Sequence, residues 1–345
     1  ERPRINLATS RERQILKALP LFRDMQGGDD SFVCSLYVIN YVAGTRDSVL
    51  WIKGLLGDPF VCPPAPPRDV HTLARELLLL AGYAPERYYC GTNPPAAVHD
   101  LMRRVMIDAI NRGVPIAARG LDQPDHWGVI IGYKDFGRVM LARTPSDATR
   151  AFFESTRVPV ECIVPAREMP RITDKELLQR MLRRVHAQYG SLTAPAGTQG
   201  LPALRAWHMD VRECALHGEL PPWSFARDNG ERWQDWRDRR RDAYRFLQLA
   251  VRRVPDASVN MLQLINTCVQ QVNLLNAAQA DNVVLRAHGG SMAPTNWPAH
   301  GAAAQAAVMG TLISNEVRIA TILRDILDIF TYGELRSLEQ QQPAD

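Results

Sequence analysis

The sequence lacks the closely spaced cysteines that build disulfide frameworks and zinc sites. Its six cysteines lie far apart along 345 residues, and no CxxC pair occurs. Scattered cysteines of this kind are typical of reduced thiols in a cytoplasmic protein. We therefore expect a cytoplasmic protein without a structural metal.

Charge of one sign, long apolar runs and phosphate-binding loops are also scarce. A net charge of +4 is too small, for a chain of this length, to indicate nucleic-acid binding. No apolar run approaches the roughly 20 residues that cross a bilayer. The glycines of QGGDD are not followed by the Lys–Ser/Thr pair of a nucleotide-binding loop. We expect no nucleic-acid partner, no membrane segment and no cofactor.

The patterns that are present divide the chain into two halves. Residues 1–170 mix helices with short strands, whereas residues 171–340 are helical almost throughout. In the first half a mostly apolar helix is predicted over 32–42. Four later runs have strand composition: 114–120, 126–133, 138–143 and 158–164. A core helix followed by an antiparallel meander predicts an α+β domain, joined here to an all-helical C-terminal domain.

One cysteine, Cys34, lies in the first turn of the helix predicted over 32–42, for which Ser31 is the expected N-cap. The positive end of a helix favours a thiolate over a thiol, so Cys34 is a candidate nucleophile. Gln26 could donate an amide hydrogen bond to a developing oxyanion, as could the backbone amide of Cys34. A lone cysteine in an apolar helix is also commonly a packing residue, so both interpretations stay open.

A candidate base comes from the segment PDHWGVIIGYKDFGRVMLARTPSD. His126 stands at the start of its first strand, and KDFG is the expected hairpin turn. Pairing around this turn sets His126 opposite Pro145, with Asp147 close by. Cysteine, histidine and an orienting acid are the parts of a nucleophilic catalytic centre. The alternative is that His126 is an ordinary strand-edge histidine and Asp147 a turn residue.

The order of these parts resembles the papain-like superfamily, in which a cysteine heads the central helix and a histidine and an acid come from the following sheet. The segments that carry the resemblance are FVCSLYVINYVAG, GLLGDPF and GVPIAARGLDQPDHWGVIIGYKD. They are most similar to bacteriocin double-glycine peptidases and to the N-terminal domain of the butirosin-biosynthesis acyltransferase. One departure concerns the acid: Arg143 or Thr144 occupies its usual position, and Asp147 follows a few residues later.

The resemblance implies cysteine-dependent acyl chemistry in bacterial specialised metabolism. Cys34 would attack a thioester or amide carbonyl, and His126 would move the proton. Asp147 would orient the imidazole, and Gln26 would stabilise the oxyanion. The acyl group would pass to an amine, with an acyl-carrier protein as the expected partner.

Two other functions remain open at this stage. One is a cysteine peptidase that acts on a peptide substrate through the same residues. The other is a papain-like binding protein without turnover, whose helical half docks a partner or forms a homo-oligomer. An exposed thiol beside the imidazole favours an enzyme, and a thiol sealed in the core favours the binding protein.

Overall fold

The computed structural model describes residues 12–16, 30–45, 47–62, 69–92, 94–147, 152–190, 200–217, 223–281, 283–284 and 301–341. The chain forms two compact units. Unit 1 consists of Glu1–Leu56 and Arg68–Thr173, and unit 2 consists of Gly57–Pro67 and Asp174–Asp345. The division differs from the predicted one chiefly in Gly57–Pro67, which belongs to the helical unit although it lies within the first half of the sequence.

Unit 1 combines helices with an antiparallel sheet, which confirms the predicted α+β class. Its helices are α1 (Ser31–Val42), α2 (Val49–Leu55), α3 (Val70–Ala81) and α4 (Ala96–Asn111). Its strands are β1 (Arg13–Ile15), β2 (Tyr83–Tyr89), β3 (Ile116–Arg119), β4 (Trp127–Lys134), β5 (Val139–Arg143), β6 (Phe153–Ser155) and β7 (Glu161–Glu168). Within the described ranges the sheet has seven strands, six of them in the order β2-β7-β3-β4-β5-β6, and β1 pairs with β4.

The middle of the sheet is covered on both faces, which explains the unbroken apolar sequence of β4. Ile130 belongs to the core that α4 forms with the sheet. Its neighbours Val129 and Ile131 point to the opposite face, because side chains alternate along a strand, and they are also fully buried. Helix α1 packs against β3 and β4. A strand buried on both faces loses the apolar–polar alternation of a half-exposed strand.

The hairpin between β4 and β5 turns where KDFG predicts it, at Asp135–Gly137. Val129 pairs with Arg143 at the open end of this hairpin. Beyond an irregularity between Ile130 and Gly132, the pairing moves by one residue. The register is therefore slightly shifted from the predicted one, and the open end still brings the start of β4 close to the end of β5.

Gly132 allows β1 to approach β4 closely. A Cβ atom at this position would lie 2.5 Å from the carbonyl oxygen of Gln14 and 3.1 Å from the Cα of Ile15, both of which are backbone atoms. We expect Gly132→Ala to lower the free energy of unfolding by about 1–3 kcal/mol, since the strands must separate to admit the methyl group. Urea denaturation measures the change.

Gly310→Ala is the matched control for this substitution. Gly310 lies in a helix of unit 2, and a Cβ atom there meets nothing within 4 Å. Alanine favours a helix interior over glycine by about 0.5–1 kcal/mol, so this variant should equal or exceed the wild type in stability. Equal stabilities of Gly132→Ala and the wild type would show that β1 does not pack against Gly132.

The secondary-structure elements that are described in unit 2 are all helices, as predicted. It contains α5 (Asp174–Gly190), α6 (Gly200–His217), α7 (Trp223–Arg253), α8 (Ser258–Ala280) and α9 (Gly301–Gln341), with short 3-10 helices at Asp58–Phe60 and Pro255–Ala257. By length and composition alone, Gly301–Tyr332 could cross a membrane, contrary to the expectation from the sequence. This is weak evidence, because 44% of its most apolar window is buried inside the protein, as in the central helix of a bundle.

A fully buried ion pair lies in the core of unit 2. Arg240 Nε is 2.7 Å from Glu316 Oε1, and neither side chain has any exposed surface. Glu316 also accepts hydrogen bonds from the Tyr189 hydroxyl, the Trp236 indole and the Gln271 amide at 2.7–2.9 Å. Buried charges persist only when they are paired and hydrogen-bonded. We call these five residues the Glu316 network.

The Glu316 network also binds the backbone of Pro59 and Phe60, from the part of unit 2 that lies within the first half of the sequence. Arg240 donates hydrogen bonds to the backbone carbonyls of Pro59 and Phe60, and the Tyr189 hydroxyl lies 3.0 Å from the Phe60 carbonyl. These bonds satisfy buried backbone acceptors that a helical bundle could not otherwise pair. Pro59 and Phe60 are therefore part of the core of unit 2, although α2 and α3 flank them along the chain.

Candidate functional site

His126 lies in the turn that joins β3 to β4. Its amide donates to the Gln123 carbonyl at 3.1 Å, and its carbonyl accepts from the Gly120 amide at 3.0 Å. These two bonds fix the backbone of the histidine at the entrance to the strand. Its side chain is 36% exposed, so the imidazole is supported by the protein on one side and open on the other.

The carboxylate beside the imidazole is Asp122, from the same turn. Asp122 Oδ2 lies 3.6 Å from His126 Nδ1, and the Asp122 side chain is only 6% exposed. Both atoms are buried, and neither has a hydrogen-bond partner among the described residues. A buried unpaired donor or acceptor costs about 1–3 kcal/mol, and a small rotation of the ring would let the two atoms satisfy each other. We therefore assign the proton to Nδ1, which makes Nε2 the basic nitrogen.

Several contacts keep Asp122 ionised. Burial alone would raise the pKa of this carboxyl. Hydrogen bonds from the Ser146 hydroxyl and the Gln123 amide, together with the neighbouring His126, outweigh burial and hold the pKa below its ordinary value. The Ser146 bond also brings the segment that follows β5 to the turn that holds His126. An ionised carboxylate facing Nδ1 stabilises an imidazolium when Nε2 takes up a proton.

Asp147, the acid expected beside His126, is placed differently. The segment after β5 turns back on itself, with the Asp147 amide donating to the Thr144 carbonyl at 3.1 Å. This turn directs the carboxylate to the Thr144 hydroxyl at 3.2 Å and to the Arg143 guanidinium at 3.5 Å. Burial raises the pKa of Asp147. In the described part of the chain, Asp122 and not Asp147 is thus the carboxylate within reach of the imidazole.

The start of α1 is capped by Asp30 and not by Ser31, the cap that the sequence predicts. The Asp30 carboxylate accepts from the amides of Phe32 and Val33 at 3.0 and 3.2 Å. The Cys34 amide donates to the Asp30 carbonyl at 3.0 Å, as an ordinary helical bond. These three amides are therefore already hydrogen-bonded. The Cys34 amide is thus not available to stabilise an oxyanion, the role that the sequence suggests for it. Gln26, the other expected donor, lies outside the described residues.

Helix α1 meets β4 at the position next to His126. The Ser31 hydroxyl accepts a hydrogen bond from the Trp127 amide at 3.1 Å. The rings of Phe32 and Trp127 pack edge to face with centroids 5.3 Å apart. The structure thus brings the first turn of the helix to the residue that follows the histidine.

Cys34 lies in this first turn but has no exposed surface. Val33 and Leu36, on either side of it along the helix, are also fully buried. The imidazole Nδ1 of His126 makes no hydrogen bond to the thiol or to any other described group. Of the expected site residues, the structure therefore brings the Cys34 helix turn and His126 together, with the thiol facing the core.

Sequence reasoning missed two residues of this junction, Ser31 and Asp122. Ser31 was expected to cap α1, and the adjacent Asp30 takes that task. Asp122 precedes His126 by four residues in GLDQPDH, and the proline and glycine of this segment indicate a turn that could bring the two side chains together.

No group of three or more histidine, cysteine or acidic residues that could hold a metal ion occurs among the described residues. No protein-family model matches the chain, and no curated protein matches its sequence.

Proposed function

We propose that unit 1 is a papain-like acyltransferase whose site lies at the junction of α1 and β4. It would pass an acyl group from a thioester or amide to an amine, with an acyl-carrier protein as the donor. The observation that carries the proposal is the pairing of His126 Nδ1 with the buried Asp122 carboxylate beside the start of α1. A base held by an acid next to a helix terminus is the arrangement that nucleophilic acyl chemistry requires.

The roles of the residues follow from their positions. Nε2 of His126 takes the proton of the nucleophile and returns it to the leaving group. Asp122 keeps the imidazole in one tautomer and stabilises its charged form. The first turn of α1 supplies two candidate nucleophiles, the buried Cys34 thiol and the half-buried Ser31 hydroxyl.

One observation favours a second function, a binding protein without turnover. Cys34 has no exposed surface, and a thiol sealed in the core is the expected state of a packing cysteine. Under this alternative, unit 1 would bind an acyl thioester or a peptide and leave it unchanged.

Turnover with matched substrates distinguishes these functions. The protein is mixed with an acyl thioester and a primary amine, and free thiol and new amide are measured separately. An acyltransferase forms both in equal amounts, a peptidase instead cleaves a peptide amide, and a binding protein releases neither. We expect His126→Gln to lower thiol release by about 10²–10⁴-fold, the usual contribution of a general base.

The matched control is His217→Gln, because His217 is exposed at the end of α6 in the other unit. This variant should release thiol at the wild-type rate. Equal rates for His126→Gln and the wild type would rule out His126 as the base, and saturable thioester binding without thiol release would establish the binding protein.

A further inference from the structure

We propose that the Ser31 hydroxyl, and not the Cys34 thiol, is the nucleophile of this site, which makes it a serine-type centre on a papain-like fold. The inference rests on the proposed acyl transfer. It begins from a contrast in exposure: Ser31 is half-buried at the first position of α1, whereas Cys34 has no exposed surface. A carbonyl carbon cannot reach the sulfur unless neighbouring side chains are displaced first.

The Ser31 hydroxyl is free for chemistry because Asp30 caps the helix. The side-chain oxygen of a serine at the start of a helix ordinarily accepts a hydrogen bond from an amide of the first turn. Here the amides of Phe32 and Val33 are bound by Asp30. The Ser31 oxygen instead accepts one bond, from the Trp127 amide. A hydroxyl has two lone pairs and one hydrogen, so this bond fixes the oxygen and leaves the hydrogen available to a base.

The same bond sets the hydroxyl next to the base. Ser31 Oγ lies 3.1 Å from the backbone nitrogen of Trp127, which is joined by a peptide bond to His126. His126 Nδ1 lies 3.6 Å from Asp122 Oδ2, and in this proposal the other ring nitrogen, Nε2, is assigned to the Ser31 hydroxyl. Ser31, His126 and Asp122 thus supply a nucleophile, a base and a positioning acid, as in a Ser-His-Asp triad.

The transfer is then a balanced exchange in two steps. Ser31 Oγ bonds to the carbonyl carbon of the acyl thioester while the bond from that carbon to sulfur breaks. The serine proton passes to His126 Nε2 and then to the leaving thiolate, which departs as a free thiol. In the second step an amine nitrogen bonds to the carbonyl carbon and the bond to Ser31 Oγ breaks. The amine gives one proton to His126, which returns it to the serine.

Mapping the acyl group tests the assignment in the full-length protein. Wild type, Ser31→Ala, Ser31→Cys and Cys34→Ala are incubated with octanoyl N-acetylcysteamine thioester, and the modified residue is located by peptide mass spectrometry. We expect the acyl group on Ser31 in the wild type and in Cys34→Ala, with Ser31→Ala losing at least about 100-fold in acylation rate. In Ser31→Cys the acyl group should sit on the sulfur at position 31 and be removed by neutral hydroxylamine, which cleaves thioesters faster than oxygen esters.

An acyl group on Cys34, with full acylation of Ser31→Ala, overturns the serine assignment and leaves the proposed acyl transfer intact. Failure of the wild type to acylate at any residue overturns both. Thermal melting accompanies each variant, since Ser31→Ala removes the acceptor of the Trp127 amide. If Ser31→Ala does not fold, the position of the acyl group in the wild type and in Ser31→Cys still decides the matter.

Discussion

Replacing Glu316 with alanine is expected to lower the free energy of unfolding by about 3–5 kcal/mol, because it leaves the Arg240 guanidinium buried without its counterion. Arg240 is fully buried, so water cannot take the place of the carboxylate. The same change removes the acceptor of the Tyr189 and Trp236 donors. A loss of this size approaches the whole stability of many domains. Urea denaturation followed by tryptophan fluorescence measures it, since Trp233 and Trp236 lie in the same core.

Asp235→Ala is the matched control for the loss of an acidic ion-pair partner. Asp235 pairs with Arg239 at 2.8 Å on the same helix as Arg240, but its side chain is 42% exposed. Surface pairs of this kind contribute about 0–1 kcal/mol. A loss below about 1 kcal/mol for Glu316→Ala, equal to that of Asp235→Ala, would contradict the buried network.

The pH dependence of stability tests the charge of Glu316 separately. Burial raises the pKa of Glu316, but the charge of Arg240 and the hydrogen bonds to the carboxylate outweigh burial and lower it. A carboxyl whose pKa is lowered in the folded state adds stability above its unfolded pKa, about 4.3 for glutamate, and loses that stability as pH falls through the folded pKa. The stability gap between wild type and Glu316→Gln should therefore be constant above about pH 5 and shrink in stronger acid. A gap that widens in acid would show that the carboxyl is buried in its neutral form.

Replacing Asp122 with asparagine is expected to lower the acylation rate by about 10³-fold or more, with little change in the fold. Asparagine is nearly the same size, but its amide can present a donor to Nδ1 and so favour the wrong tautomer of His126. Loss of the correct tautomer in a serine-type triad lowers turnover by about 10⁴-fold. Single-turnover acylation by a thioester measures the rate. Asp122 acts through His126, so it is a positioning residue.

Asp147→Asn is the control that separates the two acids. Its carboxylate contacts Arg143 and Thr144, so its loss should alter stability and leave the acylation rate close to that of the wild type. The tautomer of His126 distinguishes an orienting acid from one that only stabilises the fold. It is observed by ¹⁵N NMR of the labelled imidazole. Asp122→Asn should change the Nδ1 and Nε2 shifts of His126, and Asp147→Asn should not. The opposite pattern would restore Asp147 as the orienting acid.

The sequence predicts the interior of the sheet well because these elements are determined by residues that are close together along the chain. β4 and β5 are apolar runs on either side of a recognisable turn, and α1 is an apolar segment of helical length. The edge strand β2 was missed because YAPERYY contains a proline and charged residues. Its proline lies at an irregularity in the pairing with β7, one of the few places where a strand tolerates proline.

The candidate site was harder to predict than the fold because it depends on which of two neighbouring groups takes each contact. Asp30 and Ser31 are both good helix caps, and only the structure shows that the aspartate takes the role. Asp122 and Asp147 lie on opposite sides of His126 along the chain, and the turn after β5 decides between them. The Glu316 network joins residues far apart in sequence, so a lone glutamate in an apolar helix gives no sign of its partner.

A single-turnover experiment tests most directly whether the α1–β4 junction performs acyl transfer. Excess protein is mixed with octanoyl N-acetylcysteamine thioester without an amine, and acyl-protein and free thiol are followed in time. We predict one acyl group on unit 1 for each thiol released by the wild type, and the loss of both in His126→Gln. Equal acylation of the two proteins, or thioester bound and recovered unchanged from the wild type, would contradict acyl transfer at this site.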